Sequence, residues 1–403
     1  MAADRDGIPK SPLSYVHVVR EDPVRRGLLY AGTENGLYVS FNDGERWQPL
    51  QNNLPHAPVY WIEVQPRFND LVIATYGRGF WILDDITPLR TLHAEVAAKP
   101  AHLFAPRDAY RFRSAEAPFA DYDDPNNGTN PQYGASLHFL LKEAAKDSVT
   151  LTFTNGAGQV VRTMRAAGKA GMNRVYWDLQ TDQTRAALLR TPNPYAPETR
   201  YPAEGGKAPQ VNRMSQLVLP GTYTVTLRAA GQLMTQPLVV RRDPTSGASD
   251  AEIVAQAAAS AALATDANAA VDMLNSLESV RAQVQAFRAT LAADSTVADL
   301  RAQADTIDKR LLAVEEQLVQ VQTTGRGQDQ IRRPFKLIEQ LEYLAQSLGS
   351  SDYGPTDAHM QVQAVLRERL QQVKTQFDAV MGADLTAFRQ LVRSRNTQGT
   401  VIF

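Results

Sequence analysis

The chain of 403 residues has no cysteine. That excludes disulfides, thiolate metal sites and cysteine nucleophiles, and it suits either redox compartment. Excess charge of one sign is also missing. Lys and Arg number 42 against 43 Asp and Glu, a formal net charge of -1, so nothing electrostatic recommends nucleic acid or anionic lipid as a partner. No stretch approaches the roughly eighteen apolar residues of a membrane span. The opening Met1-Ala-Ala-Asp-Arg-Asp-Gly7 lacks the apolar core of a signal peptide, which read literally describes a cytoplasmic protein. Histidine is sparse. His17, His56, His93, His102, His138 and His359 show no metal-ligand spacing and read as surface or satisfied interior side chains. No Gly-x-Ser-x-Gly elbow or Walker loop occurs, and Gly325-Arg-Gly327 follows no strand, so it reads as an interhelical loop. Neither a cofactor nor a metal is expected. What remains is an ordinary soluble composition, 43% hydrophobic and 21% charged, in a chain long enough for two or three domains.

An internal repeat occupies the first ninety or so residues. Val19-Arg-Glu-Asp-Pro23, Leu28-Leu-Tyr-Ala-Gly-Thr33 and Gly36-Leu-Tyr-Val39 are answered by Ile62-Glu-Val-Gln-Pro66, Leu71-Val-Ile-Ala-Thr75 and Gly79-Phe-Trp-Ile82. The step from Pro23 to Pro66 is 43 residues and that from Thr33 to Thr75 is 42. Several short strands repeating at such a period predict blades of a β-propeller. Turns fall at Asn35-Gly36 and Gly77-Arg-Gly79, where glycine accepts positive φ. Between the repeats stands Ser40-x-Asn42-x-Gly44-x-x-Trp47, an Asp-box pattern with Asn in the place of Asp. Its polar side chains are expected to bond back to a tight turn while Trp47 packs between sheets, a structural role rather than a catalytic one.

Four regions follow: terminal propeller blades over 1–92, a connector over 93–134, an Ig-like β-sandwich over 135–243 and an antiparallel helical bundle over 249–395. In the connector, Asp121-Tyr-Asp-Asp-Pro-Asn-Asn-Gly128 collects oxygen ligands without the spacing of a calcium loop, so it reads as a solvated turn. Strands are predicted at 136–141, 149–153, 159–163, 173–178, 221–227 and 236–240, with 155–158 as a hairpin turn. Residues 191–210, rich in proline and polar side chains, read as a long surface loop. From Ser249-x-x-Glu252, a capping-box pattern, the chain turns helical. Leu274, Leu277, Val284, Phe287 and Leu291 fall on one face, as do Leu300, Ile307, Leu311, Val314, Leu318 and Val321. Pro334 is placed to open a third helix carrying Leu337, Leu341, Leu344 and Leu348, with Gly349 as its stop. Val362, Leu366, Val373, Phe377 and Val380 line a fourth, giving a bundle of about four helices.

On these residues the chain resembles the C-terminal portion of bacterial neuraminidase-repeat, sortilin-like β-propeller proteins. The most specific phrase is Ala74-Thr-Tyr-Gly-Arg-Gly-Phe-Trp-Ile-Leu-Asp-Asp-Ile-Thr-Pro-Leu89, which in that family ends the propeller. Pro131-Gln-Tyr-Gly-Ala135, Val160-Val-Arg-Thr163, Gly171-Met-Asn-Arg-Val-Tyr-Trp-Asp-Leu179 and Leu219-Pro-Gly-Thr-Tyr-Thr-Val225 are similar to its attached Ig-like sandwich. The resemblance implies an extracytoplasmic protein, periplasmic or secreted. It also implies further blades, supplied upstream or by another chain.

Two functions compete. One is a non-catalytic binding or scaffold protein for protein or peptide ligands. The other is a sialidase-like glycoside hydrolase whose catalytic residues lie on blades that this chain lacks. Tyr76, Arg78 and Asp84 are the group in 1–92 that resembles sialidase chemistry, set against a reading as turn and hairpin structure. A retaining site needs carboxyl groups facing across a sugar, and adjacent Asp84 and Asp85 in an extended chain would point to opposite faces. The binding reading is preferred.

Overall fold

The computed structural model describes residues 6–113, 128–291, 297–322 and 329–395. The acidic stretch 121–127 and the loop Gly325-Arg-Gly327 lie outside the described residues. The chain divides into two compact units, Met1–Gln180 with Pro220–Pro244, and Thr181–Leu219 with Thr245–Phe403. The first is β-rich and the second is dominated by helices.

The first unit opens with an antiparallel sheet of four strands, β1 (Val16–Glu21), β2 (Leu29–Thr33), β3 (Gly36–Ser40) and β4 (Gln48–Pro49), in sequence order. A second sheet follows in the same manner, with β5 (Val59–Gln65), β6 (Asp70–Thr75) and β7 (Phe80–Leu83). The repeat extends to irregularities. β1 is bulged against β2 between Val16 and Val18, and β5 against β6 between Val59 and Trp61. Val18, Tyr30, Leu37 and Val39 of the first sheet share a core with Val59, Ile62, Val64, Leu71 and Ile73 of the second. Gly32 permits this approach, since a Cβ there would lie 2.5 Å from the Val59 carbonyl oxygen. After β7 come the short helices α1 (Thr87–Thr91) and α2 (Ala94–Ala98). Arg90 of α1 reaches back to both carboxylate oxygens of buried Asp22, each at 3.0 Å.

The rest of this unit is two further sheets. One has the order β13 (Gly171–Trp177), β10 (Ala135–Leu141), β8 (Ala101–Leu103). The other has the order β12 (Val160–Ala166), β11 (Val149–Thr154), β16 (Gly221–Ala229), β17 (Gln232–Arg241), β9 (Ala109–Tyr110). Alternation along β11 buries Val149, Leu151 and Phe153, and the ring of Phe153 stacks on Trp177 across the sheets at 4.2 Å. Residues 93–134, read from sequence as a connector, thus contribute β8 and β9 to these sheets.

The second unit is built on α3 (Asp250–Thr290), which packs with α4 (Ala298–Leu318), α6 (Leu337–Leu348) and α7 (Asp357–Ala379). Between them lie the single turn α5 (Asp329–Arg332) and, after α7, a π-helical turn (Val380–Asp384) leading into α8 (Leu385–Ser394). Ser249 caps α3 as its sequence announces, its hydroxyl accepting from the Glu252 N–H while Glu252 accepts from the Ser249 N–H. Val362 departs from the expected stripe. It is exposed, and Gln363 turns inward instead to donate to the Ala259 carbonyl.

Residues 191–210 run largely exposed between Pro192 and Lys207, as a surface loop would, but the loop is anchored at both ends. This stretch belongs to the helical unit, where β14 (Leu188–Leu189) pairs with β15 (Gly206–Lys207) and Ala187, Leu189, Ala208 and Val211 join the helical core. A buried polar cluster fastens it. Glu278 of α3 accepts from the backbone N–H groups of Arg190 and Thr191 and from the Thr191 hydroxyl. Arg281 donates to Glu278, Thr191, Asp308 and Glu315. Two buried carboxylates against one buried guanidinium leave a charge too many.

Burial and neighbouring Glu278 push the Glu315 carboxyl up to about 8, with Arg281 opposing. An acid raised in the fold keeps a proton that the unfolded chain has lost. Stability from this group is therefore full below its ordinary 4.5 and is lost as pH rises through about 8. Replacing Glu315 with Gln, which mimics the protonated acid, is expected to flatten that decline. Urea titrations across the window, followed by the helical far-ultraviolet signal, check this; an unchanged slope counts against it.

Candidate functional site

Sequence reading grouped Tyr76, Arg78 and Asp84, and the strand between them sets their separation. Tyr76 and Arg78 sit in the β6–β7 turn, while Asp84 follows the far end of β7. Four extended residues span about 13 Å at roughly 3.3 Å each, so the three side chains form no common site. They fall in two neighbourhoods, Asp84 in one and the turn carrying Tyr76 and Arg78 in the other.

Asp84 lies in a charged junction. Asp85 adopts φ 59°, so the pair does not run on as extended chain with opposed side chains. The Asp85 N–H donates to Asp70 Oδ1 at 2.9 Å, and Asp85 Oδ1 accepts from the Thr87 N–H at the start of α1. Its other oxygen is buried without a hydrogen bond, 3.6 Å from His138 Nδ1 and 4.0 Å from Arg107 Nε. Arg174 donates from Nε to His138 Nε2 at 2.8 Å and from Nη2 to the Asp84 carbonyl at 2.6 Å. Because His138 Nε2 accepts there, the ring proton of the neutral imidazole sits on Nδ1, facing Asp85. Burial lowers the His138 pKa to about 4, against the opposing pull of Asp85, so the ring is neutral at neutral pH. Burial also raises the Asp84 carboxyl above its ordinary range, with Asp70 adding to the effect. These contacts organise the exit from β7: the Asp85 side chain is tied to the start of α1, and Asp84 is held by its backbone carbonyl.

Tyr76 belongs to a different surface, one assembled from both repeats at the same end of the two sheets. The Tyr15 ring meets His17 edge-on at 4.8 Å, His17 lies 4.2 Å from Tyr60, and Tyr60 meets Tyr76 edge-on at 5.8 Å. Glu34, in the β2–β3 turn, holds His17 Nε2 at 2.7 Å. Hydrogen bonding from His17 and then Tyr15 lowers the Glu34 carboxyl, and the same contact with Glu34 raises the Tyr15 phenol. Tyr15, Tyr60 and Tyr76 are exposed, Tyr76 at 72%. Arg78 stands on the same turn as Tyr76, its carbonyl accepting from Trp81 Nε1 at 2.9 Å. The repeat carries the signal for this strip: His17 and Tyr60 are 43 residues apart.

The turn after β3 shows what Ser40, Asn42, Gly44 and Trp47 do. The Ser40 hydroxyl accepts from the Gly44 N–H at 2.9 Å and donates to Asn42 Oδ1 at 3.0 Å. Asn42 Oδ1 also accepts from the Arg46 N–H at 3.0 Å, so the amide serves where a carboxylate could. Gly44 takes φ 88°. Trp47 is buried with Ile8 against Ala31. Among the described residues, no group of three His, Asp or Glu side chains has the geometry to hold a metal ion.

No protein-family profile matches this chain, and no curated protein does. Among solved structures, the extracellular domain of a hybrid two-component system from B. thetaiotaomicron matches over 56% of this chain and 25% of that one, at 9% identity and a TM-score of 0.16. A likeness that slight carries no argument about the fold. No helix among the described residues is long and apolar enough to cross a membrane.

Proposed function

We propose that this chain is a non-catalytic binding or scaffold protein that engages protein or peptide ligands through the Tyr15–His17–Tyr60–Tyr76 strip. One observation carries the reading. Aromatic side chains from two repeats line up exposed at one end of the sheets, beside the turn carboxylate of Glu34. Tyrosines supply large contact area at small entropic cost and a hydroxyl to fix orientation, which is why binding surfaces favour them. The family reading supports the same conclusion. The repeat, the side chains bonded back into the 40–47 turn and the phrase closing at Leu89 suit terminal blades of a sortilin-like propeller, followed by an Ig-like sandwich and a helical bundle. An extracytoplasmic location rests on that resemblance. Hydrolysis has less to stand on, because Tyr76 and Arg78 are a strand's length from Asp84 and the neighbouring Asp85 carboxylate is engaged at the β7 exit.

The test is capture of peptides from an immobilised random-peptide array by the full chain. Tyr60→Ala and Tyr76→Ala are each expected to weaken the strongest interactions about tenfold or more, the loss of roughly 1.4 kcal/mol or above that marks a hot-spot side chain. Exposed Val160, on β12, supplies the control: Val160→Ala should leave capture unchanged. Saturable capture indifferent to both tyrosines overturns the assignment. So does turnover of fluorogenic sialosides that Asp84→Asn abolishes.

A further inference from the structure

The internal repeat allows one buried interface to be compared with its own counterpart elsewhere in the unit. On the first sheet, Val18, Gly32 and Leu37 lie abreast, as do Tyr30 and Val39. This face packs on the second sheet, and its apolar side chains are closed off: Val18 is 7%, Leu37 1% and Val39 3% exposed. Shifted by one repeat, the same positions are Trp61, Ala74 and Phe80, with Val72 and Ile82 abreast. They remain apolar. Yet Trp61 is 54%, Phe80 81% and Ile82 59% exposed. The second sheet carries the face that the first sheet buries, with nothing described on it beyond the Arg20 guanidinium over Trp61 at 4.1 Å.

The complementary face is open too. Within the chain, the closest approach is made by β5, whose Val59 and Ile62 are fully buried. Their counterparts one repeat earlier are Val16 and Val19 of β1, which are 41% and 46% exposed. Ile8 and Trp47 fill the outer part of that side, over Ala31, and leave the β1 row uncovered. One chain thus presents the receiving half of an interface it already uses once and the Val16–Val19 part of the inserting half, with Glu21 standing where Val64 does and Leu29 and Ala31 covered from within. Contacts of that kind between copies are heterologous, joining molecules head to tail.

We infer that the Trp61–Phe80–Ile82 face receives the Val16–Val19 row of a second copy of this chain, repeating between molecules the sheet packing seen within one. The occupant follows from continuity with the intramolecular interface and from both surfaces being exposed on the same unit. Ala74 stands where Gly32 gives closest approach, so the intermolecular packing is the looser of the two.

Sedimentation velocity of the full chain over a concentration series tests this. The mass is expected to rise from the 44.4 kDa monomer toward dimer and larger species. Phe80→Glu/Ile82→Glu removes one surface and Val16→Glu/Val19→Glu the other. Each variant alone should stay monomeric, with unchanged thermal unfolding showing that it is folded. Mixed in equal amounts, they should form a one-to-one dimer and nothing larger, because only one intact pair of faces remains. A parent chain that is monomeric throughout overturns the inference. So does association that either variant retains, or a mixture that fails to pair, since these place the contact elsewhere or make it symmetric.

Discussion

Replacing Arg281 with methionine is expected to cost about 3–5 kcal/mol, the range seen when one partner of a buried ion pair is removed. The physical reason lies in what stays behind. Arg281 is 1% exposed and is the common donor to Glu278, Glu315, Thr191 and Asp308. Methionine keeps much of the apolar stem and supplies no donor. Two carboxyl groups then face one another with no cation between them. Glu278 cannot swing away, because it holds the backbone N–H groups of Arg190 and Thr191. Equilibrium unfolding in urea, followed by the helical signal, measures the loss. Adding Glu315→Leu to Arg281→Met should recover much of it, since an apolar pair in place of a buried ion pair is often neutral. Adding Glu278→Leu instead should not, because two backbone donors would be stranded. A cost below about 1 kcal/mol for Arg281→Met would show the cluster to be no more than a surface pair.

That cluster also marks where sequence reading stops. The heptad faces of α3 and α4 were legible, because Leu274, Leu277, Leu311 and Leu318 recur at helical spacing and all are buried. Glu278 and Arg281, three apart, look from sequence like a solvent-facing helical pair. Their burial is decided by residues 181–219, which leave the β-rich unit and add Ala187, Leu189, Ala208 and Val211 to the helical core. Proline and polar side chains mark the exposed stretch 192–207 and give no sign of the buried anchors on either side of it. No local pattern reports that the backbone donors of Arg190 and Thr191 will be met by a glutamate 87 or 88 residues away.

The site was legible to a similar degree. The repeat located both sheets, and its 43-residue step pairs His17 with Tyr60. Grouping Tyr76 and Arg78 with Asp84 failed for a geometric reason, because sequence proximity across a strand is distance in space. Asp85 illustrates a different limit. Its positive φ breaks the alternation that an extended pair would follow, and an aspartate gives only a mild hint of that conformation.

Trp177→Ala should produce a loss of similar size in the β-rich unit, about 3–5 kcal/mol for a large aromatic removed from a packed interior. Trp177 is fully buried at the end of β13. Its ring stacks on Phe153 at 4.2 Å and meets Tyr223 edge-on at 5.5 Å, so it touches β11 and β16 of the opposing sheet at once. Its indole N–H donates to the Gln180 carbonyl at 2.8 Å, fixing the chain just where it leaves for the helical unit. Trp177→Phe keeps the apolar contact and forgoes the hydrogen bond, and should cost about 1–2 kcal/mol, the sum of a modest volume change and one net hydrogen bond. Near-ultraviolet circular dichroism separates this unit, with its stacked aromatics, from the helices. The expected result is an early loss of the aromatic signal in Trp177→Ala with the helical transition unmoved. Coincident early loss of both signals would mean that Trp177 stabilises the chain as one cooperative body rather than this unit alone.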